Sequence, residues 1–175
     1  MRSEAGVLTK TILAKPPRPV MAACAIVLVI AAATILTALG FQHLGGYAPC
    51  PLCLEERYAY YFAVPVSAVA LFLARRLEIS AARILLALIA LAFLANAVVG
   101  VFHAGVEWKW WAGPAACTGG LQWGEGGLGE QIENAPVIRC DEASWRFLFL
   151  SFAGWNAVVS AFLAGIAAWG AAQKR

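Results

Sequence analysis

The sequence predicts an all-α, polytopic membrane protein: a four-transmembrane-helix bundle with two longer loops on one side. Three observations carry this. The 175 residues are 62% hydrophobic and only 13% charged, whereas a soluble domain is about 45–50% apolar and about 25% charged. Apolar stretches approaching the ~20 residues that cross a ~30 Å hydrocarbon core recur along the chain. The cations also divide unevenly between the two sets of connecting segments. With a mean hydropathy of +0.74, a disordered chain and an ordinary cytosolic domain are excluded, and residues 1–175 read as a single membrane domain.

The first span, about 20–41, runs from Val20 to Phe41. A basic start and Ala38, Leu39 and Gly40 give it a faint likeness to a cleavable signal. Its apolar run of about twenty residues exceeds the roughly 7–15 of a signal core, so it reads as a retained helix. The second span, about 58–74, is short enough to need snorkelling ends or a thin bilayer. The third and fourth, about 83–102 and 147–169, are of full length. Strands are excluded because these stretches are apolar on every face instead of alternating, and most are rich in Ala and Leu. Inside the spans, Cys24 reads as a packing residue. Asn96, Ser151 and Asn156 read as interhelical hydrogen-bond partners, and Gly100, Gly154 and Gly165 as points of close helix approach.

Nine of the 13 cations lie at one end of the spans: Arg2, Lys10, Lys15 and Arg18, then Arg75, Arg76 and Arg83, then Lys174 and Arg175. The loops at about 42–57 and 103–146 hold the other four cations and eight of the ten acids. By the positive-inside rule both termini are cytoplasmic and both loops face outward, which in a Gram-negative-type cell is the periplasm. The net charge of +3 is therefore a topological signal, and lipid, not nucleic acid, is the expected surrounding. Tyr58, Tyr60, Tyr61, Trp108, Trp110, Trp111 and Trp145 fall near the outer span ends and read mostly as interfacial anchors.

Four of the five cysteines, Cys50, Cys53, Cys117 and Cys140, lie in the two outward loops, on the side where thiols pair. Cys50-Pro51-Leu52-Cys53 is a CxxC at the mouth of the second span. Pro51 suits a first helical turn, which puts the cysteines at the positive end of the helix dipole, where a thiolate is stabilised. Arg57 follows Cys53 by four residues and Cys50 by seven, so all three share a helix face. A guanidinium there would hold thiolate charge and could donate to a ligand oxygen, or snorkel to headgroups. A four-cysteine zinc site is the competing use of these residues, but 22 residues separate Cys117 from Cys140 where structural zinc sites use tight pairs. Leu54 after Cys53, instead of His, excludes c-type haem.

From Gly113 to Pro136 the chain is glycine-rich with little to bury, and reads as mobile and water-exposed. A disulfide between Cys117 and Cys140 would staple it. Beside Pro114, Gly119 and Gly120, Cys117 is also open to attack by another protein's thiolate. Two dithiol pairs on an oxidising face suggest a relay, and net disulfide formation needs a two-electron sink. The GxGxxG spacing at Gly124–Gly129 follows no strand pattern and opens no helix pattern, so it offers no flavin or nicotinamide site, and two histidines are few for a metal. A bilayer-soluble quinone fits, with the CxxC at the membrane surface. His103, at the outer end of the third span, could line that pocket or sit in the interface.

The segments CPLCLEER, FHAGVEWKWW leading to GPAAC, and RCDEASWRFLFLSFAGWN closely resemble the disulfide-bond formation protein B (DsbB) family of inner-membrane thiol oxidases. The resemblance runs from about the first span to the fourth. The combination of CxxCxxER, a second cysteine pair and CDxxxWxFL is specific where a lone CxxC is not. The resemblance implies a multi-pass inner-membrane protein-dithiol:quinone oxidoreductase that sustains disulfide formation. Cys50 and Cys53 match the quinone-coupled pair, with Cys53 facing ubiquinone or menaquinone, and Arg57 matches the quinone-associated arginine. Cys117 and Cys140 match the loop pair that reoxidises a periplasmic thioredoxin-like oxidase of the DsbA type, with Cys117 forming the mixed disulfide. His103 lies about where the family places a histidine near the quinone. Two alternatives stand beside this: a non-enzymatic membrane scaffold whose cysteines bind zinc or staple loops, and a related quinone-linked thiol oxidoreductase with a dedicated partner.

Overall fold

A computed structural model describes residues 18–114 and 139–173 of the chain. Four helices, α1 (Arg18–His43), α2 (Pro51–Arg75), α3 (Ile79–Glu107) and α4 (Phe152–Ala172), form the bundle, and a minimal antiparallel hairpin of β1 (Arg146–Phe147) and β2 (Leu150–Ser151) precedes α4. All four helices are long and apolar enough to cross a membrane. The protein is therefore an all-α membrane bundle. The most extensive packing joins α3 to α4; α2 packs on α1 and α3, and α1 on α4.

Hydrocarbon solvates the outside of such a bundle, so helices associate through close van der Waals packing more than through the hydrophobic effect. The residue distribution reflects this. Ala23, Ala31, Ala63, Ala70, Ala82 and Ala167 are fully buried, while Val29, Leu36, Leu91, Val98 and Phe162 point outward. Larger side chains, notably Leu86, Ile89, Phe93 and Leu163, fill the centre. At the end carrying the expected cytoplasmic cations, Arg83 Nε donates to the carbonyl of Ala171 at 2.7 Å, satisfying an orphan acceptor at the end of α4.

Three helices depart from the expected spans: α3 runs from Ile79 to Glu107, past both ends of the span at 83–102, so His103 and Glu107 are helical and not in the loop. α2 begins at Pro51, well before the span at 58–74, because Pro51 at the first turn and Cys50 as N-cap nucleate it; Glu55, Glu56 and Arg57 then depress the local hydropathy without breaking the helix. α4 begins at Phe152 and not at Phe147. Leu148 and Phe149 adopt φ of 48° and 68° at the hairpin tip, the left-handed pair a two-residue turn needs and a helix forbids. Ser151 ends the hairpin by accepting from Gly154 N at 3.2 Å, so it caps α4.

The glycine expectations divide. A Cβ on Gly100 would lie 3.0 Å from Ala157 N, a close approach of α3 to α4 as expected. Gly154 meets Leu150 of its own hairpin, and Gly165 has nothing within 4 Å, so neither serves an interhelical contact. The tightest interhelical approach is instead at Gly170, where a Cβ would lie 2.4 Å from Ala23 Cβ and 2.9 Å from Leu86 Cδ1.

Gly170→Ala should therefore force α4 off α1 and α3 and cost about 1–3 kcal/mol, read as a lowered unfolding temperature of the detergent-solubilised protein. Gly165→Ala should be neutral or slightly stabilising. Equal melting of Gly170→Ala and the parent would contradict this packing.

Candidate active site

The site forms where α1 and α3 end and α2 and α4 begin. After α1 the chain reverses through Gly46, whose φ of 70° suits glycine, and an extended stretch delivers Cys50 to the start of α2. Cys50 has extended backbone angles, and its sulfur accepts from Cys53 N at 3.2 Å, occupying one of the amides that a helix start leaves open. Cys50 Sγ and Cys53 Sγ lie 2.7 Å apart in hydrogen-bonding contact. Both thiols are free. The Cys53 contact draws the Cys50 thiol below its ordinary value, against the opposing effect of burial. That is the environment a reactive cysteine needs.

His103 comes from the last turns of α3. It is 1% exposed, and its Nε2 lies 3.6 Å from Cys50 Sγ. On the other side of the ring, Nδ1 is 2.9 Å from Glu56 Oε1. Glu107, one helical turn beyond His103, places Oε1 4.0 Å from His103 Nε2. Glu56 and Glu107 are buried at 6% and 8% exposure. Two carboxylates thus flank one imidazole next to the sulfur pair.

These groups open on a cavity of about 540 Å³ that also receives Arg57. Arg57 Nη1 donates to Gln42 Oε1 of α1, so its guanidinium is held at the cavity and bridges α2 to α1. Aromatic rings form the opposite wall. Trp145 stacks on Phe152 with centroids 4.9 Å apart, and Phe41 packs edge-on against Phe152 at 5.1 Å. A polar layer lies beneath: Tyr60 donates to Asn156 Oδ1 at 2.8 Å, and Asn96 Nδ2 donates to Asn156 Oδ1 at 3.1 Å and to Ser160 Oγ at 2.9 Å. Asn96 and Asn156 accordingly join helices as expected. Tyr60, 3% exposed, is a core hydrogen-bonding residue and not an interfacial anchor, whereas Tyr58, Tyr61, Trp108 and Trp110 are exposed in the manner of an anchor belt.

Cys50, Cys53, Arg57 and His103 thus come together on one cavity. Cys140 is disulfide-bonded, 1% exposed, and packs with Cys50 and Leu52 in a small apolar cluster that Cys53 borders. A disulfide sulfur is not a thiolate ligand, so the four-cysteine zinc alternative finds no support among the described residues. Cys117 lies outside them. The segment after Cys140 is held by charge. Arg139 donates to Asp141 through Nε at 2.9 Å and Nη2 at 2.8 Å, and Lys109 at the end of α3 reaches the same carboxylate. These two cations hold the Asp141 carboxyl well below the usual carboxylate range, with Arg139 the larger influence. Sequence reasoning assigned no role to Glu56, Glu107 or Gln42. The signals were present for two of them, since Glu56 follows Cys53 by three residues and Glu107 follows His103 by four, spacings that put each pair on one helix face.

The sequence model of the family "Disulfide bond formation protein DsbB" matches residues 20–170. An uncharacterized protein of Rickettsia prowazekii is 23% identical over 139 residues, covering 77% of this chain and 78% of that protein. Disulfide bond formation protein B of Herminiimonas arsenicoxydans is 40% identical over 89 residues, 51% of this chain and about half, 52%, of that protein. No solved structure matches the chain. A buried CxxC at a helix start, in a four-helix bundle matched over nearly its whole length by that model, assigns this chain to the DsbB family of disulfide bond formation proteins.

Proposed function

We propose that the protein reoxidises a thioredoxin-like dithiol oxidase of the DsbA type in the periplasm and passes the electron pair to a membrane quinone, ubiquinone or menaquinone. The observation that carries this is the placement of the Cys50–Cys53 pair: it opens on the cavity holding Arg57 and His103 and also touches disulfide-bonded Cys140. In that position one dithiol can exchange with a second disulfide on one side and with a small acceptor on the other. The cation asymmetry supports an inner-membrane placement with both termini cytoplasmic and the cysteines periplasmic.

A partner thiolate attacks Cys117 and forms a mixed disulfide, releasing Cys140. The partner's second thiol then closes its own disulfide, leaving Cys117 and Cys140 as a dithiol. That dithiol reduces the Cys50–Cys53 disulfide by the same exchange, aided by the apolar contact of Cys140 with Cys50. Cys50 and Cys53 reclose as two electrons and two protons leave for the acceptor. A bound quinone supplies the two-electron sink, becoming the quinol.

The residues present fit such a ring. The cavity of about 540 Å³ falls within the range of small-molecule sites, with aromatic walls for a planar group. Arg57 and His103, both lining the cavity, supply donors for a carbonyl oxygen, and Asn156, another lining residue, carries a buried Nδ2 without a partner among the described residues. Arg57 stabilises negative charge gathered on sulfur or oxygen, and His103, its ring oriented by Glu56, can hold or pass a proton at Nε2 beside Cys50.

Purified protein supplied with a reduced DsbA-type partner should reduce quinone, and the two pairs should separate. Cys117→Ser or Cys140→Ser should abolish partner oxidation while the Cys50–Cys53 dithiol is still reoxidised by quinone. Partner oxidation by Cys117→Ser at the parent rate would overturn the relay order.

For Arg57, a charge-assisted bond is worth about 1.5–3 kcal/mol, so Arg57→Met should lose roughly tenfold to hundredfold in quinone affinity or turnover. Arg57→Lys keeps charge without the planar fork and should be intermediate. Michaelis constants for quinone, measured with partner binding followed separately, decide this. Parent kinetics in Arg57→Met would make Arg57 an anchor only.

A further inference from the structure

The relay leaves Glu107 without a task. It is 8% exposed, its Oε2 is buried with no hydrogen-bond partner among the described residues, and it shares the cavity with the sulfurs. Beside it, the sulfurs of Cys50 and Cys53 and a nitrogen of His103 all lie within 4.8 Å of one another. We propose that the reduced Cys50–Cys53 pair, together with His103 Nε2 and Glu107, binds a zinc ion that withdraws the pair from electron transfer.

Zinc takes four ligands tetrahedrally, about 2.3 Å from sulfur and about 2.0–2.1 Å from nitrogen, which sets sulfur and nitrogen roughly 3.6 Å apart. Cys50 Sγ and His103 Nε2 already stand at 3.6 Å. Glu107 Oε1, 4.0 Å from the same nitrogen but outside the group formed by the two sulfurs and His103, must swing toward the sulfurs to become the oxygen ligand. The supporting shell is in place as well. Glu56 engages Nδ1 of His103 at 2.9 Å, which fixes the ring with Nε2 toward the sulfurs, the carboxylate–histidine arrangement that orients metal-bound imidazoles. The helix start at Cys50 favours the thiolate that zinc requires.

The remaining distance makes the site conditional on redox state. Two sulfurs on one zinc are about 3.8 Å apart, so the pair, at 2.7 Å, must part by about 1 Å. Free thiols can do so by a small side-chain rotation, but a disulfide, at about 2.05 Å, cannot. Zinc therefore binds after the pair has been reduced and displaces the two thiol protons, so affinity falls as the pH is lowered. Metal binding does not depend on the proposed relay; the consequence that zinc stops quinone reduction rests on it.

The full-length protein in detergent, carrying Cys117→Ser and Cys140→Ser so that the CxxC is the remaining outward pair, is titrated with zinc against a chromophoric chelator, reduced and oxidised in parallel. One equivalent should bind the reduced form and none the oxidised form. His103→Ala and Glu107→Gln should each weaken binding, His103→Ala by at least tenfold. Cadmium on the protein with native ligands should show thiolate-to-metal charge-transfer absorption, a readout that needs no ligand substitution. Equal uptake by both redox forms, absence of the charge-transfer band, or affinity indifferent to both His103→Ala and Glu107→Gln would overturn the site. If binding holds but zinc leaves thiol-driven quinone reduction by the parent protein unchanged, the withdrawal of the pair is overturned; if the parent protein reduces no quinone with or without zinc, the relay is what fails.

Discussion

The contact between His103 and Glu56 is the interaction on which the rest of this site depends. It joins the end of α3 to the start of α2 at 2.9 Å, with both side chains almost wholly buried. A buried carboxylate or imidazole left unpaired would cost several kcal/mol, so neither helix can slide or rotate at this end without breaking the pair. That lock sets His103 beside Cys50 and keeps the N-terminus of α2, with its open amides, aimed at the cavity. It also explains how four helices of Ala, Leu and Val create a polar pocket: most of the polar groups there find partners on a neighbouring helix.

A second tier of hydrogen bonds gives the pocket its floor. Tyr60 on α2, Asn96 on α3 and Asn156 and Ser160 on α4 form a closed cluster, and Gly100 lets α3 come near enough to α4 for its members to meet. In hydrocarbon such bonds contribute modestly, about 0.6 kcal/mol on average, because the separated helices find other partners. Their larger effect is on register. Below them the bundle is apolar and packed on alanines; above them the aromatic pair Trp145 and Phe152 closes the opposite side.

Much of this was legible in the sequence, for reasons that can be named. Helix existence followed from apolar length, and Pro51 marked the start of α2 once read as a first-turn proline. Cys50, Cys53 and Arg57 were placed on one face by helical spacing alone, and the cavity contains all three. What stayed hidden depends on tertiary contact. Nothing in the chain near Tyr60 distinguishes it from Tyr58 and Tyr61, yet it alone of the three turns inward to Asn156. Gly165 and Gly170 both sit near alanines in α4, and the approach of Ala23 and Leu86 at Gly170 separates them. The late start of α4 rests on a left-handed turn at Leu148 and Phe149, residues whose composition argues for helix or strand.

The two ends of the sulfur network are held by different physics, and this bears on direction. The Cys50–Cys53 pair sits on a helix start within a rigid, buried cluster. The segment around Cys140 is held by the ion pairs of Asp141 with Arg139 and Lys109, which are at the surface and individually weak. Because the Asp141 carboxyl lies below its ordinary range in the folded protein, the clamp is present above the usual carboxylate pKa and is released only as pH falls through the lowered value. At neutral pH it therefore stays charged while remaining easy to open mechanically. In the proposed relay a soluble thiol partner would approach from the Cys140 side, whereas the CxxC would stay in place beside the cavity to meet a small acceptor. The weak surface ion pairs beside Cys140 and the buried helix start at Cys50 match those two demands of the proposed relay, and the apolar contact of Cys140 with Cys50 is where one gives way to the other.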